Sequence, residues 1–454
     1  MTFGKQRIKV REKMKITYVP SRFNALSQTD DNGVVLFNSY TGAITYFSEE
    51  EKQAVLPSLK RAGTATLENE IQEALYNNGF LVSSTVDEKK RAQFLHQSQH
   101  RTDLMHLVLM PTEACNFRCT YCYETFERGN MNQKIINGLK TFVQEKAATL
   151  SSLHISWFGG EPLIAFDVIK ELSESFLSIT KENNIDYSCD LVTNGYLLTK
   201  DVFQQLLSWN INQFMITIDG VGEVHDRRRH LTGGGKTFDT IINNLLAIKE
   251  VQGSFDITIR TNFDEDTLPE ASKLTRFLKD HFADDRRFGI LFRPVGKWGG
   301  KNDDDLPVCS RTMANKKIWE LTDEAITEGL SMSSMITDTL MPSASVCYAA
   351  KPHSLVVGSD GQLYKCTLSL NEEFNKVGKI HEDGNLELDY DKIASWVTSG
   401  EETDEVCQSC FYRPACQGNH CPLFRRRIGE RPCPYEKRNI KKVLNLIWKN
   451  SIQL

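Results

Sequence analysis

No apolar run in the 454 residues approaches the roughly 20 needed for a membrane span. The start, MTFGKQRIKVREKMKITYVP, is basic but lacks the apolar stretch and small-residue cleavage site of a secretory signal. Repeats and low-complexity tracts are missing, and a net charge of −5 lacks the positive balance of a general nucleic-acid binder. These absences predict a cytoplasmic globular protein without membrane or nucleic-acid partners. A hydrophobic content of 40% is enough for a sizeable core, and the length suits about three domains at roughly 150 residues each.

Cysteine, by contrast, is plentiful. In a long intracellular chain, twelve cysteines in clusters point to metal or redox ligands rather than disulfides. Three fall in PTEACNFRCTYCYETF (111–126): Cys115, Cys119 and Cys122, spaced C-x3-C-x2-C. Structural zinc takes four protein ligands, whereas three leave a coordination position open. A four-iron cluster on three thiolates likewise keeps one iron free. Seven more cysteines lie between 347 and 433 in a loop-rich stretch whose C-x2-C would also suit zinc. Cys189, inside a strand pattern, reads as a small buried hydrophobe.

Along the chain, DDNGVVLFNSYTGAITYF (30–47) alternates and turns like a hairpin, and Ser48-x-x-Glu51 is a capping box that opens a helix. A second helix ends at Gly79 before a short strand, and 88–99 reads as a polar helical linker. From 105 the pattern changes. MHLVLM, LHISWFGG, DYSCDLVTNG, QFMITIDG and FDITIRTNF read as buried strands separated by helical stretches such as 132–147 and 238–251. That order implies a parallel sheet with its functional loops at the C-terminal strand ends. The first cysteine group sits just after the first of these strands. The basic runs HDRRRH (225–230) and FRRRIGER (424–431) have a solvated face as their plain reading.

The C-x3-C-x-aromatic-C, with Tyr121 as the aromatic, resembles the signature of the radical S-adenosylmethionine (SAM) enzymes. GGEP (Gly159, Gly160, Glu161, Pro162), TNG from Thr193 and Asn194, IDG with Asp219, and HDRRR ending at Arg229 are similar to that family's SAM-facing segments. The resemblance implies an α/β fold with a partial (β/α)6 TIM-like barrel. It also implies a [4Fe-4S] cluster on Cys115, Cys119 and Cys122, with Glu161 available for the SAM ammonium and Arg229 for its carboxylate. The later cysteines resemble the seven-cysteine SPASM domain. By that pattern Cys407, Cys410, Cys416 and Cys433 complete one auxiliary [4Fe-4S] cluster. Cys347, Cys366 and Cys421 hold another, with Cys309 as the spare candidate for its fourth site. Four residues, QGNH, stand where the family usually has three before the sixth cysteine, so the position of Cys421 departs from the pattern. FRRRIGER beside Cys433 would offset the thiolates' charge.

The N-terminal unit resembles the small α+β, winged-helix-like recognition domain of enzymes that tailor ribosomal peptides, which takes a leader peptide by strand addition. The expected division is 1–100 for recognition, 101–300 for the barrel, 301–345 for a bridge, 346–440 for the SPASM domain and 441–454 for a final helix. Lys5, Arg7, Lys9, Arg11, Lys13 and Lys15 would attract an acidic leader or form a solvated tail. The whole resembles a radical SAM/SPASM maturase forming a thioether in a precursor peptide, with three [4Fe-4S] clusters, SAM, and a flavodoxin or ferredoxin as reductant. A carbon–carbon cross-linker, an anaerobic sulfatase-maturing enzyme and a non-catalytic electron-transfer protein are the alternatives. The sulfatase-maturing family carries an aspartate after the cysteine equivalent to Cys366, where this chain has Thr367.

Overall fold

A computed structural model describes residues 17–60, 67, 69–402 and 404–452. The basic stretch from Lys5 to Lys15 lies outside them. The N-terminal unit contains β1 (Tyr18–Pro20), β2 (Asn24–Gln28), β3 (Val34–Asn38), β4 (Ile44–Phe47) and β5 (Leu81–Ser83). β2, β3 and β4 form an antiparallel sheet with β3 central, and β1 pairs with β5. The capping box forms reciprocally at the start of the 49–60 helix. Ser48 N donates to Glu51 Oε2 at 2.9 Å, and Glu51 N donates to Ser48 Oγ at 3.3 Å. Val34, Leu36, Phe47, Val55, Leu75 and Phe80 close a small core of their own. Alternation in β3 sends Val35 and Phe37 the other way, into the main core.

Six parallel strands follow: β6 (Leu104–Leu109), β7 (Ser152–Trp157), β8 (Asp186–Thr193), β9 (Ile211–Thr217), β10 (Asp256–Phe263) and β11 (Phe288–Pro294). Helices 133–146, 166–182, 200–208, 238–249 and 271–282 alternate with them. Leu153, Ile155 and Trp157 of β7 are buried in the main core, while His154 and Ser156 between them point to the lumen side and bond Asp190 of β8. This is the partial barrel expected, and it stays open. β12 (Ser331–Met332) extends it beyond β11. β13 (Ser354–Val357), β14 (Gln362–Tyr364), β15 (Lys376–Ile380) and β16 (Leu386–Leu388) extend it beyond β6. The cysteine-rich C-terminal segment therefore joins the barrel's own sheet, through β13 parallel to β6.

The final helix, 440–452, buries Val443, Leu444, Leu446 and Trp448, and Trp448 stacks on Tyr46 of β4 at 6.0 Å. The N-terminal unit also leans on the second cysteine cluster. Ser39 Oγ donates to Phe411 O at 2.5 Å, and Phe37 packs 6.3 Å from Tyr412, centroid to centroid. Arg413 Nη1 donates to Lys89 O at 3.2 Å. No helix among the described residues is long and apolar enough to cross a membrane.

Candidate active site

The first cysteine group occupies the loop after β6, where parallel strands leave room for functional residues. That loop is pinned by backbone pairing. Arg118 N donates to His230 O and Thr120 N to Arg228 O, each at 2.9 Å, and Met131 N donates to Pro111 O at 2.8 Å. The second motif presses against its base. A Cβ on Gly159 would stand 2.2 Å from Thr112 O, and one on Gly160 would stand 2.4 Å from Ala114 O. Only glycine permits this approach.

Cys115, Cys119 and Cys122 line a cavity of about 420 Å³ at the C-terminal strand ends. Tyr121, Gly159, Gly160, Thr193, Asn194 and Arg229 line it with them. Glu161, Pro162 and Asp219 do not; they stand behind the wall and hold it. Glu161 is fully buried and accepts from Leu163 N at 3.1 Å, Thr193 Oγ1 at 2.7 Å and Asn194 N at 2.7 Å. Its carboxylate is thus committed to fixing the TNG segment, and the GGEP motif offers the cavity its glycine backbone instead. Pro162 begins the short 3-10 turn 162–165. Asp219 accepts from Asn262 N at 2.8 Å and from the Tyr121 hydroxyl, which itself accepts from Arg229 Nη1 at 2.8 Å. In the HDRRR run, His225 accepts from Asp219 N at 3.2 Å and Arg228 pairs with Asp264 at 2.7 Å, so only Arg229 reaches the cavity.

Cys347, Cys366 and Cys421 line this same cavity. The extra residue before Cys421 is absorbed by two consecutive left-handed residues, Gln417 (φ 52°) and Gly418 (φ 72°). Cys309 does not join these thiols. It packs in the main core, within electrostatic reach of Glu265 and Asp264. Cys189 is buried at 1% exposure in the core.

Cys407, Cys410, Cys416 and Cys433 surround a second, much smaller cavity of about 30 Å³. The FRRRIGER run is tied down around it. Arg425 reaches Cys407 Sγ at 3.6 Å and Asp404 at 3.2 Å, and Arg431 Nε bonds Asp404 at 2.8 Å.

Burial pushes the thiols of Cys115, Cys122 and Cys416 up to about 12 and those of Cys347 and Cys407 to about 11. A bound metal's positive charge is what converts such thiols to thiolates. Three thiols at the mouth of a cavity, beside backbone that admits no side chain, match the donor set of a cluster with one open iron. Burial by itself lowers the Arg229 pKa, but Cys119, Tyr121 and Asp219 outweigh it and hold the guanidinium firmly charged.

A family model described as the radical SAM superfamily matches residues 109–274, the span that carries all of this first site. The barrel has the radical SAM fold. The chain is similar to the cysteine-type anaerobic sulfatase-maturating enzyme of Clostridium novyi (strain NT), 24% identical over 333 residues, covering 69% of this chain and 87% of that protein. The radical SAM cyclopropyl synthase TigE of Paramaledivibacter caminithermalis is 24% identical over 266 residues, 51% of this chain and 54% of that one. Among solved structures, native anSMEcpe with bound AdoMet and Cp18Cys peptide superposes with a TM-score of 0.58 at 18% identity, covering 77% of this chain and 99% of that one. The family match of the barrel supports SAM and a [4Fe-4S] cluster as its cofactors, and the protein is an enzyme.

Among the cavity residues that the motifs did not single out are Glu124, Arg260, Asn262 and Trp298. Glu124 Oε2 is buried without a partner, and burial pushes its carboxyl up to about 8, with Glu113 adding to the shift. The signal for Arg260 and Asn262 was present in FDITIRTNF. Polar residues two apart in an apolar strand face one side, here the lumen.

Proposed function

We propose that the protein is a peptide maturase that uses a 5′-deoxyadenosyl radical to join a cysteine sulfur to carbon in a ribosomally made precursor. The observation that carries this reading is the single cavity lined both by Cys115, Cys119 and Cys122 and by Cys347, Cys366 and Cys421. A cluster on the first three supplies, when bound, the electron that splits SAM to the radical. The second three leave room for a substrate thiol beside the same space. Arg229 holds the SAM carboxylate, with Tyr121 and Asp219 fixing its direction. Cys407, Cys410, Cys416 and Cys433 hold a further auxiliary cluster, which brings the total to three. Tyr348 lines the cavity with Thr367, its hydroxyl 2.8 Å from Thr367 Oγ1, and with Trp298 these side chains shape the space for peptide.

The N-terminal unit takes the leader by adding it as a strand along an outer edge of the β2-β3-β4 sheet. An acidic flavodoxin or a ferredoxin supplies the electron. The sulfatase-maturating relatives favour a second reading, oxidation of a cysteine or serine to formylglycine. Against it, the position after Cys366 carries Thr367 with its hydroxyl bonded to Tyr348, and no carboxyl stands there to act as base. A carbon–carbon link built on the same parts is the close rival.

The test is capture and turnover. Immobilised full-length protein, reconstituted without oxygen, is offered small peptides encoded by the host, and those retained are identified by mass spectrometry and then incubated with SAM and dithionite. The reading expects loss of two hydrogens with a cysteine that no longer alkylates. Two hydrogens lost with the cysteine still alkylating favours the carbon–carbon link, and an aldehyde favours formylglycine.

A further inference from the structure

Two guanidinium groups reach the cavity, Arg229 and Arg260. Several arginines elsewhere among the described residues have carboxylates close by: Arg413 with Glu401 at 2.7 Å, Arg228 with Asp264 at 2.7 Å and Arg293 with Glu436 at 3.2 Å. Arg260 has none. Its Nε donates to Asn262 Oδ1 at 2.8 Å, and among the described residues no carboxylate oxygen lies within the 4.0 Å of an ion pair. Neither terminal amino group has a hydrogen-bond partner within the described chain. Sheet register fixes where this charge sits. Arg260 of β10 lies beside Thr217 of β9, another cavity residue, with Asn262 next along the same face.

Arg260 is half-buried, and a cation drawn partly out of water without an anion is costly, so proteins pair such charges or reserve them for a ligand. A guanidinium offers a planar fork of donors that matches a carboxylate with two parallel hydrogen bonds. The cavity's two arginines are not equivalent in position. Arg229 lies within the segment whose backbone pairs with the cysteine loop, and Cys119 is its largest electrostatic influence after burial. Arg260 instead feels Arg293, Tyr121, Asp219 and Tyr123. SAM must reach the iron held by the cysteine loop, so its carboxylate falls to Arg229.

We infer that Arg260 is a specificity residue that receives a carboxylate of the peptide, an aspartate or glutamate side chain close to the position being modified. This rests on the reading of the cavity as a peptide site and names the class of peptide it takes. Asn262 holds the guanidinium by its Nε and leaves both terminal groups directed to the ligand. The neighbouring Arg293 is neutralised by Glu436 and does not compete.

The test uses the full-length protein, anaerobically reconstituted and loaded with SAM. Two probes are synthetic libraries of acetylated, amidated hexapeptides containing one cysteine, identical except that one library fixes an aspartate where the other fixes asparagine. Retained peptide is counted by mass spectrometry. SAM affinity is measured in parallel by anaerobic equilibrium dialysis. Loss of one charged hydrogen-bonding partner corresponds to about a tenfold change in affinity. The wild-type protein is expected to retain the aspartate library about tenfold better, and R260M to lose that preference while binding SAM as wild type does. If R260M does not fold, R260K carries the test, with a weakened preference expected because the fork is gone. Equal retention of both libraries by the wild-type protein overturns the inference. So does a tenfold loss of SAM affinity in R260M or R260K with the aspartate preference intact, which would assign Arg260 to SAM. Retention of neither library also overturns the inference, because a carboxylate received by Arg260 should hold the peptide in the cavity without its leader.

Discussion

The Tyr121 hydroxyl accepts from Arg229 Nη1 at 2.8 Å while donating a hydrogen bond to Asp219. One aromatic residue in the cysteine loop thus aims a guanidinium on a separate segment and is braced by the strand end that follows β9. Y121F removes the brace without opening a void. It is expected to weaken SAM binding about tenfold, with little change in melting temperature. Anaerobic dialysis against labelled SAM, with a thermal melt alongside, checks both.

Replacing Cys115, Cys119 and Cys122 together by alanine is expected to abolish formation of 5′-deoxyadenosine under dithionite, measured by liquid chromatography. The neighbouring thiols Cys347, Cys366 and Cys421 share the cavity but not the loop that meets Gly159 and Gly160. They are not expected to rescue cleavage.

Gly160 gives a test of close approach. A methyl group there meets Ala114 O at 2.4 Å, one residue before Cys115, so either the motif or the cysteine loop must shift. G160A is expected to lose SAM cleavage by at least about a hundredfold while keeping most of its helical circular dichroism, because misplacing reacting groups by about 1 Å costs that much.

The Glu401–Arg413 pair, 4% and 8% exposed, joins the second cysteine cluster to the N-terminal unit through Lys89. Burial raises the Glu401 pKa, but hydrogen bonds from His96 and Arg413 outweigh it and hold the carboxyl below its ordinary value. A folded-state value below the unfolded one gives stability that is present above the unfolded carboxylate range of about pH 4.3 and is lost as pH falls through the depressed value. R413M leaves a buried carboxylate unpaired and is expected to cost about 3–5 kcal/mol at neutral pH. The difference from wild type should shrink below about pH 4, where Glu401 takes up a proton. Urea melts at neutral and acid pH read it out.

Legibility followed covalent spacing. C-x3-C-x2-C, GGEP and the later cysteines are local patterns, and the positions facing the cavity could be read from them directly. Glu161 shows the limit. Its type and place suggest a ligand for SAM, but whether a carboxylate points at the cavity or back into the fold depends on which backbone donors lie near. Those donors, Thr193 and Asn194, come from a strand over 30 residues away. Cys309 fails for the same reason: nothing in spacing told that it packs beside Asp264 and Glu265. The continuity of β13 with β6 was also hidden, since parallel pairing between segments 250 residues apart leaves no local trace. Arg260 was readable from strand alternation, though its lack of an anion needed coordinates.

The central claim is that two groups of thiols face one cavity and a third group of four stands apart, each holding a four-iron cluster. Iron and acid-labile sulfide, counted per chain after anaerobic reconstitution, test it most directly. The account predicts about twelve irons in the wild-type protein, about eight after C115A/C119A/C122A, and again about eight after C407A/C410A/C416A/C433A. About four irons in the wild-type protein, falling to none when Cys115, Cys119 and Cys122 are removed, would contradict it and leave the later cysteines without clusters.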